Sequence, residues 1–94
     1  MELTGGTFRE APRRFYLLRR RDDSGVSGTG VVAMGVEFEC GKAVTCWCSE
    51  GSDIHQVSVW DSIDQVRRIH GHNGATEIRW VDSHRTLVKP EVEL

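Results

Sequence analysis

Over most of this chain apolar and polar positions alternate with a period of two, and only one stretch changes to a helical rhythm. Phe15 and Leu17 set against Tyr16 and Leu18 predict a first strand that runs to about Arg19. In TGVVAMGVEFE, residues 29–39, Val32, Met34, Val36 and Phe38 share one face, with Val31, Ala33, Gly35 and Glu37 on the other. The bulkier first set is expected to face the core. Gly35 weakens the ladder but permits a bulge or sharp coiling. Cys40-Gly41-Lys42 turns the chain into a hairpin partner, residues 43–49, where Val44, Cys46 and Cys48 lie opposite Ala43, Thr45 and Trp47. Residues 56–60 form a fourth strand with Val57 and Val59 pointing alike.

The stretch DSIDQVRRIHGHNGATEIRWVD, residues 61–82, organises the rest. The Ser62 hydroxyl is suited to accept a free amide of the first helical turn, and Gln65 is placed to reach back toward the cap. Ile63, Val66 and His70, with Ile69 alongside, make a narrow apolar stripe, while Asp64 and Arg68 are spaced to pair on the wet side. Gly71 is expected to end the helix in a left-handed conformation. Asn73-Gly74 then supplies a turn, and residues 76–81 alternate Thr76, Ile78, Trp80 against Glu77, Arg79, Val81 as a fifth strand.

The order β-β-β-β-α-β, with short links between successive strands, predicts an α+β fold. It implies a curved, mainly antiparallel sheet, partly barrel-like, closed on one side by one short helix. Residues 13–84 form the single domain of this reading. Residues 1–12, with Gly5-Gly6 and Pro12, read as a mobile arm, and residues 85–94 as an edge strand or tail.

Several of these residues carry a family likeness. Ser27-Gly28-Thr29-Gly30-Val31-Val32, Trp47, Ile69-His70-Gly71-His72, Gly74-Ala75-Thr76 and Trp80 resemble the pattern of a family of small proteins from actinobacteria and their phages. The likeness extends from about Arg14 to Asp82. It implies a compact fold in a phage or mobile-element setting and points to no reaction, and Cys46 and Cys48 stand outside its pattern.

Composition narrows the function classes. A chain of 94 residues with a formal charge of −2 has room for one modest core and carries no global field toward nucleic acid or acidic membranes. No apolar run approaches the ~20 residues of a membrane span, and the N-terminus lacks the apolar segment of a signal peptide, so a cytoplasmic location is expected, with no membrane contact. Three cysteines, two of them one residue apart, make a poor disulfide framework; reduced thiols are expected, with Cys46 and Cys48 buried as small hydrophobes.

Four groups of residues are candidates for chemistry. His70 and His72 are separated by one residue and could share a metal ion with His55, His84 or the Cys46/Cys48 pair, although zinc ligands usually stand two to five residues apart. The alternative has His70 ending the helix against its dipole. No arrangement of nucleophile, base and orienting group is visible, so no catalytic residue and no cofactor is assigned. Ser27-Gly28-Thr29-Gly30 leads into a strand rather than a helix and reads as a turn, not a phosphate loop. Arg13, Arg14, Arg19, Arg20 and Arg21 beside Phe15 and Tyr16 could track phosphates and stack on bases. Finally, three tryptophans are a large aromatic share for this length. Trp47 and Trp60, on faces opposite the bulkier apolar sets, and Tyr16 are the expected anchors for a protein partner or a second copy of the chain. The expectation is therefore a non-enzymatic binding domain that docks on a protein, in the manner of a phage modulator or inhibitor of a host system. Nucleic-acid binding and, further behind, zinc binding are the alternatives.

Overall fold

The structure, a computed structural model, describes residues 7–20, 29–48, 53–71 and 74–88. Five strands and one helix follow the expected order: β1 (Arg13–Arg19), β2 (Gly30–Glu37), β3 (Ala43–Trp47), β4 (Val57–Trp60), α1 (Ile63–His70) and β5 (Thr76–Trp80). The strands form one antiparallel sheet in the order β4-β3-β2-β1-β5. The sheet stays open, with β4 and β5 as its two edges, so the barrel-like closure expected from the sequence does not form. The link through α1 explains the geometry, because it carries the chain from one edge to the other across a single face.

That face holds the core. Phe15, Leu17, Val32, Ala33, Ala43, Ile63 and Val66 form the buried cluster, with Trp47, Trp60, Ile78 and Trp80 packed against it. Register fixes the membership. Phe15 stands opposite Gly35 and Trp80, Leu17 opposite Ala33 and Ile78, Gly35 opposite Thr45, and Ala33 opposite Trp47. Small residues on β2 and β3 thus make room for Phe15 and for the helix side chains Ile63 and Val66. A Cβ on Gly35 would lie 2.4 Å from the Val44 carbonyl oxygen and 2.7 Å from the Phe15 ring.

The expected core face of β2 is accordingly corrected: Ala33 is buried, whereas Met34 is 66% exposed. Hydrophobic bulk favoured Met34 and Val36, but the layer beneath a helix and large aromatics needs small side chains. Val32 alone of the expected set is buried, and a bulge accounts for it. Leu17 faces Ala33 while Leu18 faces Val31, so Val32 is the extra residue and joins Ala33 in the core.

The helix begins as expected, with Ser62 Oγ accepting from the Gln65 amide at 3.3 Å. Gln65 Oε1 accepts from the amide of Asp61 at 2.8 Å, one residue before the cap, so the capping box is shifted. Asp64 pairs with Arg67 at 3.1 Å rather than with Arg68. Gly71 is right-handed, at φ −64° and ψ −33°, and not the left-handed stop expected; the positive φ falls on Gly74 at 84°. Gly41, at φ 92°, closes the β2–β3 hairpin, with the Phe38 carbonyl accepting from its amide at 2.8 Å.

Residues 9–11 and 86–88 meet at one end of the sheet. Glu10 bridges Leu87, and Arg85 pairs with Glu10 at 3.1 Å and with Glu37 at 2.6 Å. Residues 9–11 of the expected arm are therefore held against residues 86–88.

Candidate functional site

Alternation along the strands leaves the second sheet face to Tyr16 and Leu18 on β1, Val31, Met34 and Val36 on β2, Val44 and Cys46 on β3, Val57 and Val59 on β4, and Glu77 and Arg79 on β5. Among the described residues the one helix packs on the opposite face, and this face has no covering layer. Val57 and Val59 are 60% and 74% exposed, and Val31 and Val81 are exposed as well. A shallow depression of about 510 Å³ opens where Tyr16, Met34, Val36, Val44, Cys46 and Val81 surround the gap above Gly35. Strands β2, β3 and β4 place no charged side chain on this face. An antiparallel sheet that stands alone in water usually shows polar residues on its outer side, so an apolar outer face calls for an explanation.

Charge is confined to the β1–β5 margin, and it is paired there. Asp82 accepts from the Arg14 amide at 2.8 Å, from Arg14 Nε at 3.0 Å and from the Arg14 terminal nitrogen at 2.8 Å. These bonds favour the ionised carboxylate and lower the Asp82 pKa from 3.8 to about 2. Glu77 is held between Arg20 and Arg79, the latter at 2.9 Å, and its carboxyl also titrates below the usual range, chiefly through the Arg20 hydrogen bond.

The sequence-derived candidates separate in space. Of the expected anchors, Tyr16 is on the uncovered face, at the rim of the depression. Trp47 and Trp60 are not. Both lie on the helix side, half-buried, where Trp47 Nε1 donates to Ser58 Oγ and Trp60 Nε1 to Thr45 Oγ1, each at 2.9 Å. Their rings flank His70, with centroids at 4.5 Å and 5.3 Å. The reversal has the same origin as that of β2: once Ala33 and Ala43 face the helix, Trp47 and Trp60 opposite them must follow.

The candidate ligands do not converge. His70 sits on the helix side, whereas Cys46 projects from the other face of the sheet. His55 Nδ1 donates to the Trp47 carbonyl at 2.9 Å, and His72 lies outside the described residues. Among the described residues no group of three or more His, Cys, Asp or Glu side chains gathers where a metal ion could be held. Cys46 and Cys48 are exposed rather than buried as expected, and the turn residue Cys40 is exposed too.

The basic candidates divide as well, because neighbours on a strand point to opposite sides. Arg13 lies 3.6 Å from the centroid of the Trp80 ring and donates to the Asp82 carbonyl at 2.8 Å. Arg19 Nε donates to Thr76 Oγ1 at 3.1 Å, Arg14 and Arg20 are engaged by carboxylates, and Arg21 lies outside the described residues.

Residues missed by sequence reasoning are Met34, Val36, Val44, Val57 and Val59. A usable signal was present: Ala33, Gly35, Ala43 and Thr45 line up as small residues on adjoining strands, a groove for aromatics that fixes the opposite face as the outer one.

Fold and surface together define a small α+β protein in two layers: one antiparallel sheet with a helix on one side and, among the described residues, a largely apolar, uncovered plane on the other. The chain belongs to the Acb5 phage protein family, whose sequence model matches residues 12–82. It is thus a small phage-associated protein. No curated protein and no solved structure matches it. Among the described residues no helix is long and apolar enough to cross a membrane.

Proposed function

We propose that this phage protein is a non-enzymatic binding domain that docks on a protein through its uncovered sheet face and so modulates or inhibits a component of the host, in the setting of an actinobacterial cytoplasm. The observation that carries this reading is the uncharged plane formed by β2, β3 and β4, where Met34, Val57 and Val59 stand exposed. Burying such side chains contributes about 25 cal/mol per Å² of apolar surface removed from water, the usual source of affinity at the centre of a protein interface. Met34 is well suited to an anchor, since its flexible thioether adapts to an irregular partner surface. Tyr16 adds an amphipathic ring at the rim.

The nucleic-acid alternative draws less support, because Arg14 and Arg20 are neutralised by Asp82 and Glu77 while Arg13 and Arg19 point to the helix side. Counterion release needs unpaired cations along one track. The test is a comparison of wild type with Met34→Glu and with Arg14→Gln for an effect on host growth or on phage yield. The docking reading expects Met34→Glu to abolish the effect and Arg14→Gln to retain it. The reverse pattern would support phosphate contacts.

A further inference from the structure

We infer that the partner protein docks with an extended segment, which adds to the sheet as a further strand beside β4 and lays alternate side chains along the uncovered face. This deepens the docking reading and rests on it. The main chain of β4 carries the inference. The Trp47 amide donates to the Gln56 carbonyl at 2.9 Å, which makes these two residues a hydrogen-bonded pair of the antiparallel ladder. Such pairs recur at every second residue, so in the register Thr45 to Ser58 and Ala43 to Trp60 the backbone groups of Ser58 and Trp60 also turn toward β3. The N–H and C=O groups of Val57 and Val59 therefore point out of the sheet edge, and no described residue bonds to them. Their side chains stand exposed on the uncovered face. Alternating donors and acceptors at strand spacing match one ligand chemistry, the backbone of another extended polypeptide.

The two edges of the sheet differ. On β5 the pair Glu77 and Arg79 sets charge along the strand, the Thr76 amide donates to the Gly71 carbonyl at 3.2 Å, and Arg13 lies over the Trp80 ring. Charge of that kind guards an edge against strand addition. Residues 56–60 carry neither a charged side chain nor a proline. The added segment is accordingly uncharged at its centre, with β-branched or aromatic side chains beside Val57 and Val59, the cross-strand pairs that stabilise neighbouring strands. A second copy of the chain fits this edge poorly. Two β4 strands would meet along about 13 Å at a depth of ~10 Å, covering on the order of 300 Å² in total against the roughly 1,000 Å² of a specific interface. The twofold axis of an antiparallel edge pair stands perpendicular to the sheet, so both uncovered faces would look the same way and neither would cover the other. A segment of a larger protein meets both needs, because its backbone fills the edge while the domain that bears it covers Met34 and Val44.

The experiment follows amide hydrogen exchange by NMR on the full chain, alone and with a capped peptide of about seven alternating threonines and valines, lysine-flanked, at millimolar concentration. In the free chain the Val57 and Val59 amides are expected to exchange at nearly unprotected rates, and those of Ser58 and Trp60 at least about 100-fold more slowly. The peptide is expected to slow Val57 and Val59, and the same peptide with its valines N-methylated, which removes their donors, is expected not to. Val57 and Val59 amides already protected in the free chain, or a solution mass of twice 10.6 kDa, would show the edge filled by the chain itself or by a second copy and overturn the proposal. So would a peptide that leaves both amides unprotected. Val59→Pro removes one outward N–H and no bond of the β3 ladder, a place where an edge strand tolerates proline; circular dichroism checks its fold. This variant is expected to abolish the host effect. If folded Val59→Pro keeps that effect while Met34→Glu loses it, the edge inference fails and docking through the face survives; if both variants keep it, the docking reading itself fails.

Discussion

Gly35 lets its two neighbouring strands pack closely against β2. With no side chain it lets the Phe15 ring and the Val44 carbonyl approach from either side, at distances no Cβ would tolerate. Gly35→Ala is expected to cost about 1–3 kcal/mol, the usual range for overpacking a filled core, read as a lower denaturation midpoint with little change in slope. Asp82 is the second residue with a defined physical role. Its folded pKa of about 2 lies below the ordinary 3.8, so the clamp on Arg14 is complete above the ordinary value and is lost as pH falls from there through about 2. Carboxyl-carbon NMR should show this low titration, and Arg14→Gln should return Asp82 toward 3.8 while leaving the sheet intact. An unchanged Asp82 in that variant would remove Arg14 as the cause.

The elements themselves were largely legible in the sequence, and the reasons are local. Alternation marks β1 through β5, and Ser62 with Gln65 marks the start of α1, because a cap and a two-residue period depend on near neighbours alone. Ser62→Ala is expected to lower stability by about 1 kcal/mol, visible as a drop of several degrees in Tm, since the Gln65 amide would lose its acceptor. What alternation could not decide is which face of a strand turns inward when both are apolar. Val32, Met34 and Val36 outweigh Ala33 and Gly35 in hydrophobicity, yet the choice is made by packing across strands, where Phe15 and the side chains of α1 need shallow neighbours. The error then spread by register: with β2 reversed, Trp47 and Trp60 appeared to look outward. The bulge at Val32 further breaks the period in mid-strand. Burial of the cysteines failed for the same reason, since Cys46 shares the outer face with Val44. The salt links of Arg14 and Arg20 to residues more than fifty positions away follow from the pairing of β1 with β5, which no local pattern announces.

At the scale of the whole molecule, the described residues form one sheet layer and one helix layer. Its helix covers one face, and on the other, among the described residues, β2, β3 and β4 are apolar while charged groups pair along the β1–β5 margin. The proposed docking on a protein requires that this face be covered in solution. Cys46 reports on it directly. In cells making the protein, alkylation of Cys46 by a small maleimide should be slowed relative to the turn residue Cys40, each normalised to its rate in the unfolded chain, and Met34→Glu should restore it. Equal normalised rates at Cys46 and Cys40 in the wild type would show the face open to water, and would contradict the account.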